Sequence, residues 1–287
     1  MHLGEFMVTI SINPKLCKHD AICVHVCPES VFIQRDNESV PEPVRQDLCI
    51  SCGQCVAVCP HGALTHSEFV TGSIQNIEPD KSLSYDQLIT LIRNRRSHRY
   101  FNSHPVDAAI IRQIIEAAIY APTAFNSQST KYMVIQDILL LTQITESIAD
   151  SLEEIINQLR KNNDETVLQK DRSFPILTQI VSEVRNGNDM ILHNAPVLLL
   201  FYGDINAGMG GINANIAIQN AALAAESLGV GAFYTGYVLF ACRQDPGINE
   251  LLKIPKNHEI YGGLALGYPK IRFKKWITRN PPDIIWR

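Results

Sequence analysis

Beyond about residue 83, the chain alternates between apolar stripes with helical spacing and short, continuous apolar runs. A capping-box pattern, Ser84 followed by Gln87, precedes an apolar face and predicts the start of a helix. Further helices are predicted from Asp107 and over residues 213–228, and residues 137–190 are also helical in pattern. Four runs of strand length lie between them, at residues 132–135, 196–202, 232–238 and 260–267. Helices interleaved with strands in this way indicate an α+β domain in which helices cover a sheet.

The first 82 residues contain shorter apolar segments between cysteine-rich loops. Residues 8–12 predict a strand, and residues 31–33 and 39–44 predict a hairpin. Residues 63–66 predict a strand that closes this region against the first one. Periodicity is then lost, which indicates a linker. The pattern therefore predicts a first domain at residues 1–68, a linker at 69–82 and a second domain at 83–287.

The composition agrees with a two-domain globular protein. The length of 287 residues suits two domains, and 46% hydrophobic residues suffice for a core. The net charge of −4 argues against a nucleic-acid partner, which requires a basic surface. No apolar run approaches the roughly 20 residues of a membrane span, and no basic region followed by a hydrophobic stretch begins the chain. We therefore expect neither a membrane span nor a signal peptide, and a cytoplasmic location.

Seven of the eight cysteines form two copies of one motif, displaced by 32 residues. The second copy reads Cys49-x2-Cys52-x2-Cys55-x3-Cys59-Pro60, and the first reads Cys17-x5-Cys23-x3-Cys27-Pro28. Asp20 stands in the first copy where Cys52 stands in the second. Soft thiolates select iron–sulfur clusters or zinc, but a zinc ribbon needs only two short pairs. The repeat therefore favours clusters, whereas Cys242, alone in an apolar stretch, is typical of a buried core thiol.

This segment, about residues 7–68, resembles a bacterial-type two-cluster ferredoxin, in which each motif contributes one cysteine to the other cluster. The resemblance implies one [4Fe-4S] cluster on a four-cysteine set: Cys27, Cys49, Cys52 and Cys55. It implies a second cluster on an aspartate set: Cys17, Cys23, Cys59 and Asp20 as the fourth ligand. Because a carboxylate is a harder and weaker iron ligand than a thiolate, the second cluster is either an Asp-ligated [4Fe-4S] or a [3Fe-4S].

A basic run follows the first predicted helix of the second domain. Residues 93–99 contain four arginines and one serine. Such a run is either a solvated surface or an anion clamp, because arginine forks match phosphate oxygens two at a time. The run alone does not decide between the two.

Three further segments decide the interpretation: the loop APTAFNSQ at residues 121–128, the helix and glycine-rich stretch at 215–236, and GYP at 267–269 followed by RNP at 279–281. In this order they resemble the FMN domain of the nitroreductase family, over residues 84–287. The resemblance implies a homodimer with two FMN sites at its interface. The family usually has Gln-Pro-Trp where this chain has Gln128-Ser129-Thr130, and this difference concerns the outer wall of the pocket.

The resemblance also implies the role of each FMN-binding residue. The phosphate and ribityl chain would be held by Arg95, Arg96, Ser97 and Arg99, with Arg279 reaching the same phosphate. The partner subunit would supply Pro122, Thr123, Asn126 and Gln128. The edge of the isoalloxazine ring would lie beside Tyr234, Thr235 and Gly236.

Together the two resemblances imply an iron–sulfur flavoenzyme that reduces a small electron-poor acceptor, such as a nitroaromatic or a quinone. The electron donor is a one-electron carrier such as reduced ferredoxin, or NAD(P)H. No GxGxxG fingerprint is present, since Asn213 replaces its third glycine, so we expect no separate dinucleotide domain. Two alternatives stay open: an FMN-dependent dehydrogenase with the clusters as the electron exit, and a non-enzymatic electron carrier.

Overall fold

The computed structural model describes residues 8–69, 72, 74–162, 168 and 172–287. Its contacts divide the chain into two compact units. The N-terminal unit comprises Met1–Ser82 with Phe125–Ser127, and the C-terminal unit comprises Leu83–Ala124 with Gln128–Arg287. The segment predicted as a linker is grouped with the N-terminal unit, and its residues 70, 71 and 73 lie outside the described residues. Residues 163–167 and 169–171 of the predicted helical stretch also lie outside them.

Residues 8–69 of the N-terminal unit form two short antiparallel ladders. Strand β1 (Ile10–Ile12) pairs with β4 (Leu64–His66), and β2 (Phe32–Ile33) pairs with β3 (Glu42–Pro43). Both predicted pairings are thus confirmed. A small core of Ile10, Val31, Phe32 and Leu64 also buries the thiols of Cys23 and Cys55.

The two cysteine motifs fold into equivalent loops, each followed by a five-residue helix. Helices α1 (Ile22–Val26) and α2 (Gln54–Val58) begin after Ala21 and Gly53, which are 32 residues apart. Both residues have left-handed backbones, with φ of 56° and 72°. At Gly53 a Cβ atom would lie 3.0 Å from Phe69 Cζ, so glycine also allows that ring to pack against the loop.

The C-terminal unit is built on a four-stranded antiparallel sheet with the order β5-β6-β8-β7. Its strands are β5 (Lys131–Ile135), β6 (Val197–Asp204), β7 (Gly231–Tyr234) and β8 (His258–Gly267). The strand predicted at 232–238 is therefore too long. Thr235 makes the last backbone hydrogen bond to β8, at Gly263, and the chain turns into a helix at Gly236. The apolar run fits a buried helix as well as a strand, so periodicity could not separate the two.

Helices cover both faces of the sheet, as predicted. In the part of this unit that the structure describes, they are α3 (Tyr85–Asn94), α4 (Ala108–Ile119), α5 (Ile138–Asn162), α6 (Ser173–Arg185), α7 (Gly210–Ser227), α8 (Gly236–Gln244) and α9 (Pro246–Leu251). The capping box is confirmed, because Ser84 Oγ accepts from the Gln87 N–H and Gln87 Oε1 accepts from the Ser84 N–H.

Strand β6 separates two cores, because its side chains alternate between the faces. Leu199 and Phe201 pack with α4 and α7, whereas Leu198 and Leu200 pack with α5, α6, α8 and α9. Packing on both faces holds the sheet in place, including the ends of β7 and β8. None of the helices in the described part of the chain is long and apolar enough to span a bilayer.

Candidate functional site

The N-terminal unit brings cysteines from both motifs around one cavity. Its lining includes the whole four-cysteine set, Cys27, Cys49, Cys52 and Cys55. Apolar side chains of Ile10, Val31 and Phe32 and the ring of His66 complete the wall. The structure thus gathers the residues that the ferredoxin resemblance implies for one cluster.

A second cavity is lined by the aspartate set, Cys17, Asp20, Cys23 and Cys59, together with His61 and Leu64. Asp20 Oδ1 accepts a hydrogen bond from the Ile22 N–H at 3.3 Å. Its other oxygen, Oδ2, lies 3.8 Å from His61 Nε2. Asp20 therefore lies at the same cavity as the three thiols, in the place that Cys52 takes in the other copy.

Both sets have the chemistry that iron–sulfur clusters require. Backbone N–H groups donate to sulfur from Val31 to Cys27 at 3.3 Å and from Ala63 to Cys59 at 3.4 Å. Such donors stabilise a thiolate. Burial raises the pKa of the Cys55 thiol to about 11, so its proton must leave when the sulfur binds iron. Soft, half-buried sulfurs with N–H donors fit the clusters implied by the sequence.

In the C-terminal unit, the basic run lies along the edge of β7. Ser97 forms a parallel bridge with Ala232, and the His98 N–H donates to the Ala232 carbonyl at 3.1 Å. The guanidinium of Arg99 lies over the Phe233 ring, 5.4 Å from its centroid. The run therefore follows the strand towards its C-terminal end.

Arg96 lies in a different environment from the other residues of the basic run that are predicted to hold a phosphate. Its Nη1 donates to the carbonyls of Arg93 at 2.6 Å and Arg95 at 3.3 Å. It also lines a cavity together with His98 and Trp276. Because side chains alternate along an extended segment, Arg95, Ser97 and Arg99 are expected on the opposite side.

Tyr234, Thr235 and Gly236 lie where β7 ends and α8 begins. The Tyr234 hydroxyl lies 3.2 Å from Asn215 Oδ1 on α7, which accepts its hydrogen bond. Thr235 is 2% exposed, and among the described residues its Oγ1 has no hydrogen-bond partner. A Cβ atom at Gly263 would lie 2.8 Å from that oxygen, so glycine leaves room for it.

This corner fits a flavin ring edge. Gly236 is the first residue of α8, and the first N–H groups of a helix have no partner within it. These donors and the Thr235 hydroxyl can satisfy the polar atoms of a ring. The partly positive helix end also favours negative charge on such a ring.

The loop predicted to act across a dimer interface has an unusual backbone. Phe125, Asn126 and Gln128 are all left-handed, with φ of 52°, 51° and 45°. Thr123 Oγ1 accepts from the Gln128 N–H at 3.0 Å. Asn126 Nδ2 donates to the Ser51 carbonyl at 2.9 Å, within the N-terminal unit to which residues 125–127 are grouped. Strain of this kind is typical of functional loops. Pro122 is exposed, and the role of this loop in a dimer stays a prediction.

Arg279 lies in the exposed C-terminal segment. Three residues before it, Trp276 is anchored at the end of α3. Its indole N–H donates to Asn94 Oδ1 at 2.8 Å, and Arg93 lies 5.5 Å over its ring. Three residues span at most about 11 Å, so this anchor keeps Arg279 near the end of α3, where the basic run begins.

A cavity of about 900 Å³ in the C-terminal unit was not predicted from the sequence. Tyr100 and Phe101, which follow the basic run, line it together with Asp189, His193 and Lys270. The ring centroids of His193 and Phe233 lie 5.4 Å apart, and the Arg99 guanidinium also lies over the Phe233 ring. Burial lowers the pKa of His193. The available sequence signal was the pair His193-Asn194 before the strand β6, because histidine and asparagine are enriched in the left-handed conformation that both residues adopt.

Comparisons with known proteins identify a family for each of the two units. Residues 92–268 match the family model of the nitroreductase family, and residues 9–60 match that of the 4Fe-4S dicluster domain. The chain is 30% identical to iodotyrosine deiodinase of Drosophila melanogaster over 71% of this chain and 68% of that protein. It is 38% identical to a 7Fe ferredoxin of Hydrogenibacillus schlegelii over 22% of this chain and 78% of that protein.

A solved structure shows the same fold for the C-terminal unit. It is a nitroreductase with bound FMN from Bacteroides fragilis, with a TM-score of 0.56 and 22% identity, covering 70% of this chain and 99% of that one. The match to the nitroreductase model spans more than half of the chain. The protein therefore belongs to the nitroreductase family and carries a 4Fe-4S dicluster domain ahead of its nitroreductase domain.

Proposed function

We propose that the protein is an iron–sulfur flavoenzyme that takes electrons singly at two clusters and uses them, through FMN, to reduce a small electron-poor acceptor. A nitroaromatic or a quinone has the required chemistry. The observation that carries the proposal is the pair of cysteine-lined cavities in a chain of the nitroreductase family. When bound, FMN can take up electrons one at a time and release them as a pair.

The residues of the N-terminal unit hold the clusters in this proposal. The four-cysteine set binds a [4Fe-4S] cluster, and the aspartate set binds either an Asp-ligated [4Fe-4S] or a [3Fe-4S]. Apolar walls from Ile10 and Phe32 limit the access of water to the first site. Oxygen-sensitive clusters also suit the reducing cytoplasm, where we place the protein.

The residues of the C-terminal unit hold FMN. Arg95, Ser97, Arg99 and Arg279 bind its phosphate and ribityl chain, and Arg96 supports the turn by holding the carbonyls of Arg93 and Arg95. Thr235 and Gly236 donate to the ring edge, while Tyr234, fixed by Asn215, forms the adjoining wall. The loop with Pro122, Thr123, Asn126 and Gln128 completes the site from the second copy of a homodimer.

The donor is a one-electron carrier such as reduced ferredoxin, and NAD(P)H is the alternative donor. A second function is also consistent with the same residues: oxidation of a substrate with the clusters as the electron exit. Steady-state turnover of a nitroaromatic or a quinone with a low-potential one-electron donor separates the proposed reductase from a non-enzymatic carrier, because a carrier shows no turnover.

Purified without oxygen, the protein is expected to contain about one FMN and about seven to eight irons per chain, the sum for two clusters. Iron, acid-labile sulfide and flavin assays measure this content. Stoichiometric zinc without labile sulfide would contradict the proposal.

Replacement Asp20→Cys is expected to make the second cluster more resistant to iron loss on mild oxidation. The reason is that a thiolate binds iron more strongly than the carboxylate now at this position. The measurement is the EPR signal and iron content before and after oxidation. Identical iron loss in the variant and the wild type would place Asp20 outside the cluster site.

A further inference from the structure

His66 lies directly beside a sulfur of the four-cysteine set. It is the last residue of β4, is 5% exposed and places Nε2 3.5 Å from Cys49 Sγ. Its other ring nitrogen, Nδ1, accepts a hydrogen bond from the Glu68 N–H at 3.2 Å. A nitrogen that accepts carries no proton, so the proton of the neutral ring is on Nε2. His66 therefore donates an N–H···S hydrogen bond to Cys49.

This bond breaks the symmetry of the two motifs. Matched residues of the two copies otherwise donate to matched sulfurs: Val31 to Cys27 and Ala63 to Cys59. The residue 32 positions before His66 is Gln34. Its Nε2 donates instead to the carbonyls of His19 at 3.1 Å and Ser39 at 2.9 Å. The side-chain donor thus serves the four-cysteine set and has no counterpart at Gln34.

The position of His66 is fixed by its neighbours. The ring centroids of His66 and Phe69 lie 4.7 Å apart. Phe69 in turn packs against Gly53, within the loop that carries Cys52 and Cys55. The turn at residues 66–69 therefore holds the imidazole against the sulfur and covers the loop from solvent.

We infer that His66 is a positioning residue that raises the reduction potential of the four-cysteine cluster relative to that of the aspartate set. Reduction adds one electron, and the added charge is shared among the cluster sulfurs. An N–H donor stabilises that charge and so favours the reduced state. The inference rests on the proposed ligand set, and it concerns the change in potential that the His66 donor makes at the four-cysteine cluster.

The test is a redox titration with dithionite, followed by EPR, on the full-length protein purified without oxygen. His66→Phe keeps an aromatic ring beside Phe69 but removes the donor. In this variant we expect the reduction potential of the four-cysteine cluster to fall and that of the cluster on the aspartate set to stay unchanged. His66→Gln, whose amide can donate, should bring the potential back towards the wild-type value. Gln34→Leu, at the equivalent position, should leave the potential of the four-cysteine cluster unchanged.

Iron content distinguishes a failure of the proposed function from a failure of the inference about His66. Wild-type protein without cluster iron would refute the proposed function itself. His66→Phe with full iron content and unchanged potentials, or with an equal shift at both clusters, would overturn the inference about His66. If this variant loses iron, the wild type labelled with 15N-histidine provides the measurement. A nitrogen hyperfine coupling at the four-cysteine cluster supports the inference, and its absence overturns it.

Discussion

Replacement of Cys55 by alanine is expected to remove at least one iron from the four-cysteine set, or the whole cluster, together with most of the turnover with a one-electron donor. Turnover with NAD(P)H, if present, is retained. Cys55 is buried within the four-cysteine set, and its loss leaves three ligands for that cluster. If electrons enter through the clusters, the direct route to the flavin is interrupted. Iron content and anaerobic turnover with each donor measure the effect.

Cys242→Ala provides the matched control for this variant. Cys242 is also a buried cysteine, but it lies on α8 in the core of the C-terminal unit. Burial raises the pKa of its thiol to about 12, so it is unreactive at neutral pH. Iron content and turnover should stay at wild-type values. An intact one-electron rate in Cys55→Ala, despite lost iron, would exclude the four-cysteine cluster as the electron inlet.

Arg95→Ala and Ser97→Ala should each weaken FMN binding about ten- to a hundredfold, because a lost charge-assisted phosphate contact is worth roughly 1.5–3 kcal/mol. Iron content should not change, since the cysteines lie in the other unit. Fluorescence titration of the apoprotein with FMN measures the affinity.

Arg96→Ala tests the division of the basic run that the structure suggests. Arg96 donates hydrogen bonds to the carbonyls of Arg93 and Arg95. Arg96→Ala should therefore lower FMN affinity less than Arg95→Ala does. An equal cost would support the sequence interpretation, in which Arg96 holds the phosphate. Unaltered affinity in Arg95→Ala and Ser97→Ala would show that the run is a solvated surface.

The sequence predicted most of the fold because the elements have clear local signals. The capping box at Ser84 and the apolar stripe after Asp107 predicted two helices, and each predicted apolar run overlaps a strand. The end of β7 was predicted four residues too late, because Tyr237 and Val238 continue the apolar run into α8. Only the pairing with β8 decides where such a strand ends.

The cluster residues could be predicted because their spacing is itself the ligand pattern. The contact from His66 to Cys49 could not, since it joins residues 17 positions apart through the pairing of β4 with β1. The different roles of Arg96 and Arg95 could not be predicted from the sequence either, because adjacent arginines carry the same side chain. Only the structure shows that Arg96 donates to the carbonyls of Arg93 and Arg95.

The left-handed residues that start α1 and α2 make the two iron-binding loops unequal in local stability. Gly53 adopts this backbone without a side-chain clash and gains the Phe69 contact, whereas Ala21 adopts it with a Cβ atom. Alanine at such a position destabilises by about 1 kcal/mol relative to glycine. Local opening of the native state is therefore expected to begin at the first loop. In amide hydrogen exchange, the loop that carries Asp20 would lose its protection before the loop that carries Cys52.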